Sequence, residues 1–556
     1  MTESKRLLNR YLFIGIPFIS VFILTGFGSD PVNVTKFLIL GPVAVVTFLL
    51  AIVWEREQLF STHKSTLVLF GLFLFFMFSA VFQSEIPIEQ NLYGDYGRNT
   101  GLLTYVFFIL ISVAVLTLNA KKEFDSLLKG LLVAGQINLV YCYWVLAFGD
   151  PINWNNQYGS LLGLLGNPNF IGAFLGMYIT VALSVLVGTL ERNTYFWFLL
   201  LSLPAAFYAV LETNAVQGLV VTAGGVALVC FFWIRSKFGS LVQSSYVLLV
   251  AIIGVIAILG TLQKGPFSFV YKRSVSLRGT YWNTGISMGL DHPLSGVGMD
   301  GYGDWYRRYR PEVALIDTPG PSVSSNAAHN IILDFFSFGG FPLLIAYLLI
   351  LGFTLILGLK YISKTKKYDS TFVALFSVWL CYQVQSIISI NQIGLAIWGW
   401  VLTAAVLAYV GSTRVVERKQ VKKNANLGLI FPPSLLVTLG LVVGFFLSAP
   451  PISSDMNWFN ARNSNKLEII QEALNPNYFR PESSIKYSQA VEIFAKSNLP
   501  VEAIKYARIA VKFHPNYFYA WRDLYFLSNS TAEEKQSAKE NMKRLDPLNS
   551  EIDTLD

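Results

Sequence analysis

The sequence predicts an all-α fold: a polytopic membrane bundle of about twelve to thirteen transmembrane helices followed by a helical tail. Three observations carry this. Hydrophobic residues make up 53% of the 556 residues and charged ones only 14%, and the mean hydropathy is +0.50, which sets the chain apart from ordinary soluble domains. Apolar runs long enough to cross a bilayer recur along most of its length. Lys and Arg are segregated into alternate loops, so the net charge of +8 marks an orientation in a membrane and not a nucleic-acid partner.

The apolar runs lie near residues 11–27, 37–54, 65–83, 101–118, 124–148, 169–190, 195–211, 214–233, 245–263, 333–359, 371–390, 394–411 and 430–448. The first follows a basic start, MTESKRLLNR, but no small-residue cleavage site closes it, so it reads as an uncleaved span. Lys5, Arg6 and Arg10 precede it. Lys121 and Lys122, Arg235 and Lys237, KYISKTKK and TRVVERKQVKK follow the fourth, eighth, tenth and twelfth runs. All these fall on one side, which the positive-inside rule makes cytoplasmic. The N-terminus is then cytoplasmic and the C-terminus extracytoplasmic. Cys142, Cys230 and Cys381 sit in apolar runs without disulfide or metal spacing and read as small core residues.

Two segments fall on the outer side: the loop 264–328 and everything after residue 448. This divides the chain into a membrane domain, 1–448, and an extracytoplasmic tail, 449–556. In the tail Ala503, Ala507 and Ala510 recur at helical spacing. "NPNYF" (475–479) returns as "HPNYF" (514–518), and DPLN (546–549) follows. That period resembles tetratricopeptide-like helical hairpins, stacks that commonly hold a protein partner. The competing reading is a generic helical cap.

Histidine is scarce, which narrows the search. His63 and His514 read as solvated loop residues, and His292, in "GLDHPLSGVG", as a structural residue where Pro293 ends a helix. His329 stands at the outer mouth of a span. On a helix Asn330 and Asp334 share a face, with His329 about 100° away, so the three line one side of that mouth. Arg278 opens an amphipathic stretch in which Trp282, Ile286 and Leu290 recur at helical spacing, as in a helix lying on a membrane surface. Arg307, Arg308 and Arg310, beside Trp305, Tyr306 and Tyr309, read as headgroup anchors. Arg278 is better placed to bind a specific anion through paired hydrogen bonds. Arg98, in "YGDYGRNTGLLTY", is a second candidate, with Asp95 close enough in sequence to pair with it. No P-loop, HExxH or GxSxG signature is present, and carboxylates do not cluster with His at metal-ligand spacing.

Taken together, Arg278 with Tyr281–Trp282, "DHPLSGVG" (291–298), His329–Asn330 ahead of Gly339–Gly340, "GDYGRNTGLLTY" (94–105) and "GNPNFIGAFLG" (166–176) resemble the O-antigen ligase and O-antigen polymerase superfamily of bacterial membrane glycosyltransferases. The resemblance spans roughly residues 10–410 and leaves the tail outside. It implies a GT-C-like helical fold in the cytoplasmic (inner) membrane and a metal-independent, cofactor-free inverting transfer. A glycan would move from an undecaprenyl-diphosphate carrier to a lipid or glycan acceptor hydroxyl. By the same resemblance His329 is the catalytic histidine and Arg278 a catalytic ligand of the carrier diphosphate. Arg98, Asn330, Asp334 and Trp282 are candidates for substrate binding. Gln217, in "ETNAVQGLVV", stands where ligases of the family often carry an arginine. Three classes compete: glycan transferase (ligase, with polymerase as the alternative), lipid-linked oligosaccharide flippase, and assembly scaffold.

Overall fold

The computed structural model describes residues 3–154, 156, 159–264, 273–316, 320–415, 431–464 and 466–555. Among these the chain is all helical apart from turns and one isolated bridge, Asn477 to Arg480. Ten helices, from Asn33–Trp54 to Pro433–Ser464, are long and apolar enough to cross a membrane. The other three expected spans fall on shorter pieces. The first is split into Glu3–Arg10, Tyr11–Gly15 and Ile16–Val21. The fourth is Leu102–Val115, and the eleventh is Ser370–Ser386. At 1.5 Å per residue, the 14-residue Leu102–Val115 helix reaches only about 21 Å, short of a bilayer core of roughly 30 Å. It is instead packed on nearly every side.

Burial grades the helices from centre to edge. The most apolar window of Ile393–Thr413 is wholly buried, whereas that of Ser240–Thr261 has no buried residue. Around the central helix the indole N–H of Trp398 donates to Ser20 Oγ at 2.7 Å, and that of Trp379 to Thr403 Oγ1 at 3.0 Å. Such bonds join helices where apolar side chains gain nothing over lipid. Small residues do the same along Pro433–Ser464. Gly440, Gly444 and Ser448 form a small-xxx-small stripe against Asn33–Trp54, so close that a Cβ on Gly41 would stand 2.5 Å from the Gly444 carbonyl oxygen.

Several of the loops expected on the basic side meet at one end of the bundle. There Lys5 lies 3.6 Å from Glu123, Lys121 lies 3.8 Å from Asp369, and Arg235 donates to the Ile362 carbonyl at 2.7 Å. Most of TRVVERKQVKK lies outside the described residues. His63 is also at this end, but it is buried, not solvated as expected; its ring packs by Gly411, and burial pulls its pKa down to about 4.

At the opposite end, Pro433–Ser464 continues unbroken through residue 449, and Trp458 and Ala461 join the core of the tail. The tail stacks the helices Leu467–Ala473, Ser484–Lys496, Pro500–Phe513, Phe518–Phe526 and Ala532–Leu545, with Ala503, Ala507 and Ala510 buried between them. His514 is buried too, against the solvated expectation. Its Nδ1 lies 2.8 Å from Ser484 Oγ, and burial lowers its pKa to about 3.

The tail is fastened to the bundle through its recurring turns. Tyr478 stacks on Phe446 at 4.3 Å, and Asn516 donates to Glu85 at 3.1 Å. Asp546 accepts from Arg310 at 2.7 and 2.8 Å and from Arg307 at 3.1 Å. This corrects the headgroup-anchor reading of Arg307 and Arg310. Both are buried in protein, and Arg307 also lies over the Phe518 ring at 4.6 Å. Arg308 stays on the Trp305 and Tyr309 rings.

Candidate active site

The histidine mouth is built by a break in a helix. Ile331–Lys364 leaves helical geometry at Gly339 and Gly340, the latter at φ +63°. A Cβ on Gly340 would lie 2.3 Å from the Pro293 carbonyl oxygen, so only glycine fits. The "DHPLSGVG" segment fills the gap. Val297 N–H donates to Ser337 O at 2.7 Å, Gly298 N–H to Phe338 O at 3.1 Å, and Phe341 N–H to Pro293 O at 2.8 Å. Those bonds satisfy backbone groups that the break releases. The turn ahead of Ile331 therefore stands on a short, mostly buried helix, and the long apolar stretch starts at Phe341.

Two of the expected site residues secure this turn. Asn330 caps the helix, its Oδ1 accepting from Ile332 N–H at 3.0 Å and Leu333 N–H at 3.3 Å. Asp334 Oδ1 accepts from the Ala328 N–H at 2.7 Å. Between them His329 takes φ +56°, a left-handed conformation uncommon for a side-chain-bearing residue. Its Nδ1 lies 3.2 Å from the Ala327 carbonyl, and the Tyr281 ring stacks on it at 5.1 Å. When Nδ1 carries the proton and donates to that carbonyl, Nε2 keeps its lone pair.

Arg278 reaches the mouth from the helix Arg273–Asp291. Gly285 lets that helix approach closely: a Cβ there would meet Ala328 Cβ at 3.3 Å and Tyr302 at 3.4 Å. Tyr302 Oη donates to the Tyr281 carbonyl at 2.7 Å. On the far face Ile286 and Leu290 remain exposed, as the amphipathic pattern implies. Arg278 is half-buried, and burial lowers its pKa; among the described residues no carboxylate pairs with it. Trp282, one helical turn further on, is half-buried, and its indole N–H has no partner among the described residues.

Arg98 arrives on a loop that Asp300 organises. Asp300 Oδ2 accepts from Asp95 N–H at 2.8 Å and from Thr100 Oγ1 at 3.0 Å. Gly94, at φ +87°, leaves the room for it. The Arg98 backbone N–H donates to the Asp95 carbonyl at 3.0 Å, but its guanidinium does not pair with the Asp95 carboxylate directly. It donates to Asn326 Oδ1, and Asn326 Nδ2 in turn reaches Asp95 Oδ2 at 3.3 Å. Burial, then the Asp300 charge, push the Asp95 carboxyl up to about 6, against the pull of Arg98.

The electrostatics meet at His329. Burial and then Arg98 lower its pKa to about 4, with Arg278 adding to the drop and the Ala327 carbonyl opposing it. The imidazole is thus neutral at pH 7, with two guanidinium charges in range. Gln217 is placed elsewhere: buried, it donates to Gln385 Oε1 at 2.6 Å in the interface with Ser370–Ser386. Sequence reasoning missed Asn326 and Asp300 as loop organisers, and it used Tyr281 only as part of a motif. Asn326, three residues before His329, is the one whose position offered a signal.

A bundle of long apolar helices, with a neutral histidine in range of two guanidinium charges at one end, defines a multi-pass membrane protein. Residues 197–348 match the family model described as O-antigen ligase. This stretch holds Arg278, Tyr281 and His329, while Arg98 and the tail lie outside it. The family implies a glycan-transferring enzyme that uses lipid-linked glycan substrates. No curated protein matches the chain.

Proposed function

We propose that the protein transfers a glycan from an undecaprenyl-diphosphate carrier to an acceptor hydroxyl, at the tail-bearing end of the bundle. The observation that supports this best is the convergence of Arg98 and Arg278 on a neutral His329. In the step envisaged, the acceptor oxygen attacks the anomeric carbon from the face opposite the diphosphate. The bond from that carbon to the diphosphate oxygen breaks, and its electron pair leaves with the diphosphate. The acceptor proton passes to His329 Nε2, and the anomeric centre inverts. General-base assistance of this kind is worth typically 10²–10⁴-fold. The arginines supply the charge stabilisation that the leaving diphosphate requires, without a metal ion.

The free site also suggests an order of events. The charges that depress His329 are the ones a diphosphate would neutralise, so donor binding restores basicity to the imidazole just when it is needed. A flippase reading is less well supported. Lys36, buried in Asn33–Trp54, donates to the Phe22 and Leu164 carbonyls at 2.7 and 3.0 Å and is thereby fixed in place.

Transfer by the purified protein, with a lipid-diphosphate glycan and separate acceptors, is the direct test. In a deletion strain, loss of glycan-capped lipid A assigns the ligase reaction, and single-repeat products assign the polymerase reaction of the same superfamily. Unchanged surface glycan sinks both. The same reading places the tail, as tetratricopeptide-like hairpins open to a protein partner, outside the cytoplasmic membrane. Ser537 is exposed, so Ser537→Cys is expected to react with an impermeant maleimide in intact spheroplasts. Labelling only after lysis overturns that orientation.

A further inference from the structure

Between the bundle and the tail lies a cavity with about 700 Å³ of free space, counting its open mouth. The bundle contributes Glu89, Asp95 and Asp304 to its lining, the long Pro433–Ser464 helix contributes Asp455, and the tail contributes Glu482 and Lys486. The lining thus carries five carboxyl groups against a single lysine. Tyr93, Tyr96 and Tyr517 add ring faces.

Several of these groups have partners inside the protein. Asp455 Oδ2 accepts from the Ser29 N–H at 2.8 Å, Asp304 takes Gln90 Nε2 at 2.7 Å, and Lys486 donates to Ser454. Glu89 lines the cavity from the bundle and Glu482 from the tail, where Glu482 Oε1 also accepts from the Tyr487 hydroxyl at 2.7 Å. Burial and then the Glu482 charge raise the Glu89 pKa, and burial raises that of Asp304 well above the carboxylate range. Asp304 and Glu89 therefore hold their protons more readily than exposed carboxyls, and among the described residues Lys486 is the one cationic side chain in the lining. Asp95 joins the cavity to the histidine mouth, because it lines the one and holds Asn326, and through it Arg98, in the other.

We propose that this cavity is a glycan subsite on the acceptor side that takes amino-bearing or uncharged sugars and rejects acidic ones. The proposal rests on the transferase reading for the word acceptor, but not for the charge selection. Tyrosine rings offer flat apolar faces to the C–H face of a pyranose, and carboxyl groups accept from its hydroxyls. An ammonium group supplies the counter-charge that Glu89 and Glu482 lack. A uronate brings a further negative charge into a partly buried carboxylate site, which works as a repulsive specificity element. Because half of the lining belongs to the long helix and the tail, the selection depends on the docked tail.

Binding of three probes to the full-length protein in nanodiscs tests this without any transfer reaction: the trimers of glucosamine, N-acetylglucosamine and galacturonate. The glucosamine trimer is expected to bind at least about tenfold more tightly than the galacturonate trimer, with the neutral trimer between them. Glu89→Gln/Glu482→Gln is expected to remove most of that preference, and Glu89→Gln alone to remove part of it. His329→Gln should leave all three affinities unchanged. Equal binding of the acidic and amino trimers, an order that persists in the folded double variant, or no binding of any trimer overturns the proposal. Failed transfer with charge-selective binding intact counts against the transferase reading alone.

Discussion

Among the arginines at the tail-bearing end of the bundle, four fall into two pairs with opposite fates. Arg307 and Arg310 are buried and bonded to Asp546, Arg310 to both carboxylate oxygens and Arg307 to Oδ2. Arg98 and Arg278 are half-buried, the one held by an amide and the other with no carboxylate partner among the described residues, and both act on His329. Residue type does not separate the pairs, and neither does local context, since both sit beside aromatic residues. What separates them is a carboxylate that arrives 236 positions later in the chain from Arg310. A neutralised guanidinium fastens two parts of a protein together. One left without a carboxylate keeps its field for an incoming anion.

The largest effect expected from breaking this contrast is at its focus. His329→Gln keeps a polar side chain of similar size but removes the basic nitrogen. Turnover should fall by on the order of 10²-fold or more, while donor binding persists. Single-turnover kinetics beside a donor-binding assay separate the two, and near-wild-type turnover would reduce His329 to a polar rim residue.

Asp546→Ala strands two buried guanidinium groups, and breaking a buried pair from one side costs about 3–5 kcal/mol. The tail should loosen from the bundle, seen as a lower unfolding temperature and earlier proteolytic release of residues beyond 465. Arg278→Lys acts on the other pair and should leave stability alone. A point charge does not reproduce the planar fork, so donor KM is expected to rise about tenfold at normal protein levels. If Arg278→Lys destabilised the fold as much as Asp546→Ala, the division into fastening and substrate-handling arginines would fail.

Much of this was legible in the sequence, and the exceptions share a cause. The helices were, because apolar length is a local property. Every expected run but the first falls on one helix, and the first is broken into short pieces that end at Val21. Length separates the ten candidate spans from the rest. His329, Arg278 and Arg98 were also legible as charged or polar residues collected beside apolar runs. The fates of Arg307 and Arg310 were not, because their partner lies in the tail. Nor was the burial of His63 and His514, since a loop position says little about what packs over it. Asn330 and Asp334 were found for their polarity, but their bonds go to the backbone of the turn, a geometry that helical spacing does not convey.

The smallest effect expected is the sharpest test of whether Arg98 and Arg278 act on His329. With its pKa lowered to about 4, the imidazole stays neutral down to that pH. The acid limb of kcat/KM, which reports the free enzyme, should then lie near 4 and not near the ordinary histidine value of about 6.5. Bound diphosphate offsets the arginine charges, so the limb of kcat should lie higher than that of kcat/KM. Arg98→Gln removes one depressing charge and should move the kcat/KM limb upward, by on the order of half a pH unit or less at a partly screened site. Stability runs in the same direction and has to be measured separately. His63, His329 and His514 all bind a proton more readily when unfolded, so stability falls as pH drops below about 6.5. Dividing each rate by the folded fraction at that pH removes this contribution. A corrected kcat/KM limb near 6.5 that Arg98→Gln leaves in place would mean that the two arginines do not set the basicity of His329.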